Sequence, residues 1–288
     1  MNKLSRREVM IATGAALAVG SHAAAPLTAA EVITRIKDHV GVPWREQTVD
    51  GIKAGAPDTP VTGVATVMMA TFDMLKKAAA SRRNLVITHE PTFWSHQDDV
   101  SQLQSDPLYL EKLAFIRDHN LVSFHFHDHW HALKPVDGIA VGMMRKLGWT
   151  KYADPQDPKR FTLPPTTLGK LAKVLASKLN DRTLRVVGDP KLPVRIAGAS
   201  WGYFSEFPGI PQLNEDEDVM IVGETREWEI VEYAQDLVSA GRRKGLIILG
   251  HVVSEQWGME YCAEWLRGFV PEVPVAFLPM REPWWMPR

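Results

Sequence analysis

Apolar positions recur along the chain at two spacings. In "TAAEVITRIKDHV", Val32, Ile33, Ile36 and Val40 fall three or four apart, which predicts a helix with one buried side. "VTGVATVMMAT" predicts a strand, "FDMLKKAAASR" a helix, and "NLVIT" a second strand that runs directly into His89-Glu90-Pro91. A polar loop, a helix near Leu108–His119 and the strand "LVSFHF" follow, and the helical pattern of "VDGIAVGMMRKLGW" closes the first half. "FTLPPTTLGKLAKVLASKL" opens on prolines and continues as an amphipathic helix through Leu168, Leu171, Leu175 and Leu179. "VVGDPKLPVRIAGAS" then joins two short strands through the turn signal Gly188-Asp189-Pro190.

The next stretch repeats the first grammar. "DVMIVGE" predicts a strand, "REWEIVEYAQDLVSA" a helix, and "GLIILG" a strand that runs into His251. Strand–helix–strand–histidine thus occurs twice, which predicts an α/β fold of two related lobes with mixed, mostly parallel sheets. The expected division is residues 29–160 for the first lobe and 161–288 for the second, joined in one compact unit. Ligand sites in such sheets lie at the C-terminal ends of strands. His89, the run His125–His131 and His251 all stand there.

The first 25 residues differ in kind. Arg6 and Arg7 follow Ser5, a mildly apolar stretch runs from Val9 to Gly20, and Ser21-His22-Ala23 offers a small-x-small cleavage site. The pattern resembles a twin-arginine signal peptide over residues 1–23, which would make the mature protein periplasmic. The alternative is a buried or anchoring N-terminal helix, although the stretch is short for a bilayer. No other apolar run approaches membrane length. Composition is that of an ordinary globular protein, 45% hydrophobic and 23% charged. A net charge of −1 gives no general attraction to nucleic acid or anionic lipid. The single cysteine, Cys262, excludes an internal disulfide.

Four of the chain's ten histidines, His125, His127, His129 and His131, sit at alternate positions in "FHFHDHWH". His251 and Glu255 are four apart, a spacing that turns both toward one cation or sets an ordinary histidine and glutamate at a helix start. His89-Glu90, before a proline at a strand exit, is a rigid platform or a plain loop pair. His96 reads as a solvated loop residue, and Glu224 as a turn residue or, alternatively, as a group that orients a ligand or water. Together the strand exits supply histidines and two carboxylates without thiolate, a donor set that suits zinc, manganese, iron, cobalt or nickel. Five ligands exceed the need of one tetrahedral ion, so two divalent ions sharing a carboxylate is the economical reading.

From residue 29 to about 278 the chain resembles the Nif-three-like dinuclear metal-centre proteins, also labelled type-two homologues of GTP cyclohydrolase I. "VITHEPTFW" matches the family's strand ending in His-His-Pro, "FHDHWHALKPVDGIA" its His-Thr-Asn-x-Asp block, and "LGHVVSE" its closing Gly-His-x-x-x-Glu. "RVVGDPKLPVRIAGAS" matches its middle strand pair. The resemblance implies metal ligation by His89, Glu90, His131, His251 and Glu255, with His127 standing behind the ligands or shuttling a proton. Two positions depart from the family pattern: Glu90 replaces a histidine and His131 an aspartate, an exchange that keeps three histidines and two carboxylates. The resemblance also implies a homo-oligomer, hexameric in bacterial members. The activity expected is metal-dependent hydrolysis of an unknown small-molecule substrate by a metal-bridging hydroxide; the alternative is a non-enzymatic metal carrier or assembly protein.

Overall fold

The computed structural model describes residues 26–287, so the expected signal peptide lies outside the described residues. The first half runs α1 (Ala29–His39), β1 (Gly51–Ala54), β2 (Val64–Val67), α2 (Phe72–Ala80), β3 (Leu85–Thr88), α3 (Pro107–Asp118), β4 (Val122–His125), α4 (Asp128–His131) and α5 (Gly138–Leu147). The second half begins with β5 (Arg160–Thr167), α6 (Leu168–Leu179), β6 (Arg185–Val187), β7 (Pro193–Tyr203) and α7 (Glu206–Leu213). It continues with β8 (Val219–Glu224), α8 (Glu232–Ser239), β9 (Gly245–Ile248), α9 (His251–Arg267) and β10 (Val275–Phe277).

Two five-stranded sheets result, ordered β1-β4-β3-β2-β10 and β5-β7-β8-β9-β6. β2, β3, β4 and β10 run parallel, with β1 antiparallel at one edge. β7, β8 and β9 run parallel, with antiparallel β5 and β6 at the two edges. The expected α/β architecture of mixed, mostly parallel sheets is therefore present.

Parallel strands buried on both faces need apolar residues at both parities, and this chain has them. Leu85 and Ile87 of β3 enter the central core while Val86 between them packs under α2 and α3. Val219 and Ile221 of β8 enter the same central core while Met220 and Val222 pack under α7 and α8. That central core is shared by both sheets and by α1, α5, α6 and α9. Gly142 of α5 and Gly258 of α9 let those two helices approach closely. A Cβ at Gly142 would collide with the Trp257 carbonyl, and one at Gly258 with Ile139. No helix among the described residues is long and apolar enough to cross a membrane.

Several local expectations change. The prolines of "FTLPP" do not open a helix but lie in edge strand β5, where Pro164 and Pro165 fall in the register break between Thr162 and Thr166. An edge tolerates residues without an N–H donor. β6 and β7 do not pair with each other: β6 joins β9, and β7 extends over eleven residues between β5 and β8. β10 returns the chain to the first sheet beside β2.

Candidate metal centre

Three chain segments converge beyond the strand ends. After β3, the ladder continues for two residues, with the His89 N–H donating to Val67 O (3.1 Å) and the Glu90 N–H to Met68 O (2.8 Å). His89 and Glu90 thus keep a fixed backbone. β4 stops at His125 because Asp50 intercepts the chain. Asp50 Oδ1 accepts the N–H groups of His127 (2.7 Å) and Asp128 (2.9 Å), and Oδ2 accepts that of His129 (2.9 Å). Carboxylate capping of successive amides starts a helical turn, α4, and puts His127 and His131 on one side of it. α9 begins directly after β9, across Gly250 at φ +86°, and carries His251 and Glu255 on one face.

The donor atoms meet in a space of a few ångströms. Those of His89, His127 and His131 lie within 4.8 Å of one another, as do those of His89, Glu90 and Glu255. Glu255 Oε2 stands 3.0 Å from His251 Nε2 and 3.6 Å from His89 Nε2, while Oε1 stands 3.7 Å from His131 Nε2. Glu90 Oε1 stands 3.2 Å from His251 Nε2 and 3.9 Å from His127 Nε2. His89 and Glu255 are 0% and 1% exposed. Gly202, at φ +77°, leaves room for Glu255, because a Cβ there would collide with its carboxylate.

Each of these imidazoles presents Nε2 to the shared space and has Nδ1 held from behind. His89 Nδ1 faces Phe126 O (3.3 Å), His127 Nδ1 faces Asp128 Oδ1 (3.1 Å), His131 Nδ1 faces Asp137 Oδ2 (3.0 Å) and His251 Nδ1 faces Glu224 Oε1 (3.3 Å). A carbonyl or carboxylate behind each ring fixes the tautomer that leaves Nε2 free to ligate. The supports are anchored in turn. Asp128 Oδ2 accepts from Thr48 Oγ1 and Val49 N–H (2.8 and 3.2 Å), and Asp137 Oδ1 caps α5 through Ile139 and Ala140 N–H (2.8 and 3.2 Å).

Charge follows from this packing. Burial disfavours the charged His251, yet the carboxylates of Glu224, Glu255 and Glu90 standing 3.0–3.3 Å from its ring nitrogens outweigh it and push its pKa up to about 12. Burial also works against charge on His89, but Glu255 raises its pKa above the usual value. Burial would raise Glu255, but His89 and His251 hold it well below the ordinary carboxylate range. His127 is pushed down to about 4, by burial and then by repulsion from His89 and His131. The imidazolium charges of His251 and His89 face the carboxylates of Glu255 and Glu90. His89 Nε2 and Glu255 Oε2 are nonetheless buried with no hydrogen-bond partner. Two unsatisfied donor atoms facing one space suit a positive ion, since buried polar groups rarely go unpaired.

The six sequence-derived residues therefore assemble at one place, and both exchanged positions, Glu90 and His131, belong to it. His127 stands inside the group rather than behind it. His129 is structural: Nδ1 meets Asp50 Oδ2 (2.7 Å), Nε2 accepts the Arg45 N–H (3.0 Å), and its ring stacks on Trp44. His125 is buried on Asp98 (3.0 Å), and His96 is exposed beside His127. Glu224, for which the sequence left a turn role and a ligand-orienting role open, stands behind His251 Nδ1. The supports Asp50, Asp128 and Asp137 escaped sequence reading because only tertiary folding brings Asp50 to the turn. Asp137 carries a readable signal as the N-cap of a helix in "PVDGIA", but that signal says nothing of its second oxygen.

The family model described as Duf34/NIF3 (NGG1p interacting factor 3) matches residues 26–283. Among solved structures, Staphylococcus aureus hypothetical protein SA1388 superposes with a TM-score of 0.72 at 17% identity, over 91% of this chain and 100% of that one. A Bacillus cereus protein related to NIF3 gives 0.71 at 12% identity, over 90% and 99% of the two chains. Reduced HcgD from Methanocaldococcus jannaschii gives 0.66 at 15% identity, over 88% and 98%. At these identities the likeness is one of fold. No curated protein matches the sequence.

Proposed function

The chain belongs to the Duf34/NIF3 family, and on that premise we propose that it is a dinuclear metal protein acting as a metal-dependent hydrolase. The observation that carries the reading is the convergence of six anchored side chains on buried, unsatisfied donor atoms. His89, His127 and His131 would hold one cation, Glu90 and His251 the other, with Glu255 spanning them because its two oxygens face different histidines. This assignment moves His127 from proton transfer to ligation. Nitrogen and oxygen donors suit zinc, manganese, iron, cobalt or nickel. When bound, such ions supply Lewis acidity and a nucleophile at neutral pH.

The chain's own part is positional. Asp128, Asp137 and Glu224 hold the rings of His127, His131 and His251 so that Nε2 points inward. His127, neutral above about pH 4, needs to lose no proton before it ligates at neutral pH. His251 does, so cation binding expels a proton there, and affinity rises with pH. Twin-arginine export and assembly as a homo-oligomer, hexameric by family likeness, belong to the same proposal. They are supported by Ser5-Arg6-Arg7 and by the family, respectively.

The test is to purify the mature protein, measure metal per chain, and screen phosphoesters, esters and amides with and without chelator. Two ions per chain with chelator-sensitive turnover supports the hydrolase. Two ions with no turnover, and release of them to an apo-acceptor, would make the protein a carrier instead.

A further inference from the structure

A cavity of about 510 Å³ opens beside the metal centre and shares His251 and Glu224 with it. Met69, Val252 and Val253 line its inner side. Its outer wall is the segment after β10, through Met280, Trp284 and Trp285. The volume is that of a small-molecule site.

This wall is fastened in place. Glu282 Oε1 accepts the Arg182 N–H (3.0 Å) and Nε–H (3.2 Å), and Oε2 accepts the Thr183 hydroxyl (2.9 Å). Arg182 Nη2 also donates to the Trp284 carbonyl (3.0 Å). The latch thus neutralises Arg182 and Glu282 together. Glu224 is engaged by His251 Nδ1, and Arg185 at the rim faces Glu227 at 4.0 Å. Arg182, Glu282 and Glu224 are thus paired, Arg185 is exposed at the rim, and most of the remaining lining is sulfur, aromatic ring and methyl groups.

Trp284 and Trp285 are 65% and 74% exposed although they border a largely apolar cavity. Large adjacent aromatic surface left open beside a site marks a place where something binds. Tryptophan faces and methionine thioethers both favour aromatic partners. The pair also stands just past residue 283, where the family match ends, so it is a feature of this chain beyond the matched region.

We propose that the cavity is a subsite for an uncharged aromatic group of the substrate, which Trp284 and Trp285 select while its oxygen-bearing end reaches His251. The orientation of that end rests on the metal-centre reading; the aromatic subsite does not.

Calorimetry on the zinc-loaded mature chain separates the two, using acetohydroxamate, 2-naphthohydroxamate and 2-naphthol. The naphthyl hydroxamate should bind about tenfold tighter than acetohydroxamate or better, a difference of about 1.4 kcal/mol. In the W284A/W285A variant that advantage should disappear while acetohydroxamate binding holds. Glu282→Ala, which frees the wall and leaves both tryptophans present, should weaken 2-naphthol in the same direction. If the protein takes up no metal, acetohydroxamate binds nowhere and the metal reading fails. A 2-naphthol affinity that still depends on the tryptophans then continues to support the subsite. Equal naphthyl binding by wild type and both variants would overturn the proposal. So would a changed solution mass in W284A/W285A with unchanged 2-naphthol binding, which would make the pair an interface between copies.

Discussion

Replacing Glu255 by Gln removes one charge at the point where the segments meet. The carboxylate is buried and faces His251 at 3.0 Å, His89 at 3.6 Å and His131 at 3.7 Å. Removing one partner of such a buried pair costs about 3–5 kcal/mol. The loss should sit near the lower end, about 3 kcal/mol, because His251 can then release its proton. In a chain of this size that lowers Tm by roughly 6–12 °C. Metal provides the discriminating half of the experiment. At a free concentration a hundredfold above Kd, each bound ion stabilises the fold by about 2.7 kcal/mol, so wild type holding two should gain roughly 10–20 °C. Glu255→Gln, lacking the carboxylate proposed to span the two ions, should gain almost nothing from the same metal. Thermal melts of both proteins, after chelation and after zinc or manganese loading, give all four numbers. A variant that is less stable yet keeps the full metal-induced shift would show that Glu255 is only a structural ion-pair partner and refute the reasoning.

Asp137→Asn should still cap α5, since asparagine is as good an N-cap, but it removes the carboxylate behind His131. Metal affinity should fall about 10- to 100-fold in a chelator-competition titration, with the melting temperature of the chelated protein little changed. Asp181 is buried, with Oδ2 unpartnered, and burial followed by the Glu282 charge raises its pKa from 3.8 to about 6. A carboxyl raised on folding destabilises the fold where it must ionise. The Asp181 contribution should therefore turn unfavourable as pH climbs from about 4 through 6, so Asp181→Asn should gain roughly 1–3 kcal/mol over wild type at pH 8 and little near pH 4, read as the difference between their urea melts. Changing both Arg6 and Arg7 to Lys should hold the precursor in the cytoplasm, seen by fractionation; unchanged periplasmic recovery would contradict the export proposal.

Much of the fold is written in short-range pattern. Continuous apolar runs such as "NLVIT" and "GLIILG" bury both faces of β3 and β9, and the three-four spacing of α1 and α6 packs where expected. β1 and β10 are short edge strands whose pairing is decided by distant partners, so four or three residues carried no readable alternation. The site divides in the same way. His89, His251 and Glu255 stand out because strand exits and an i,i+4 spacing are local facts. The alternating histidines invite a strand reading, but Asp50, 77 residues before His127, turns the run into a helical turn. That turn, unseen in the sequence, is what brings His127 alongside His131.

Crystals of the metal-loaded protein measured at the metal's absorption edge test the central claim most directly. Anomalous peaks are predicted between the segments, about 2.0–2.2 Å from Nε2 of His89, His131 and His251 and from a carboxylate oxygen of Glu255. Peaks confined to exposed histidines such as His96, with the space around Glu255 empty, would contradict it.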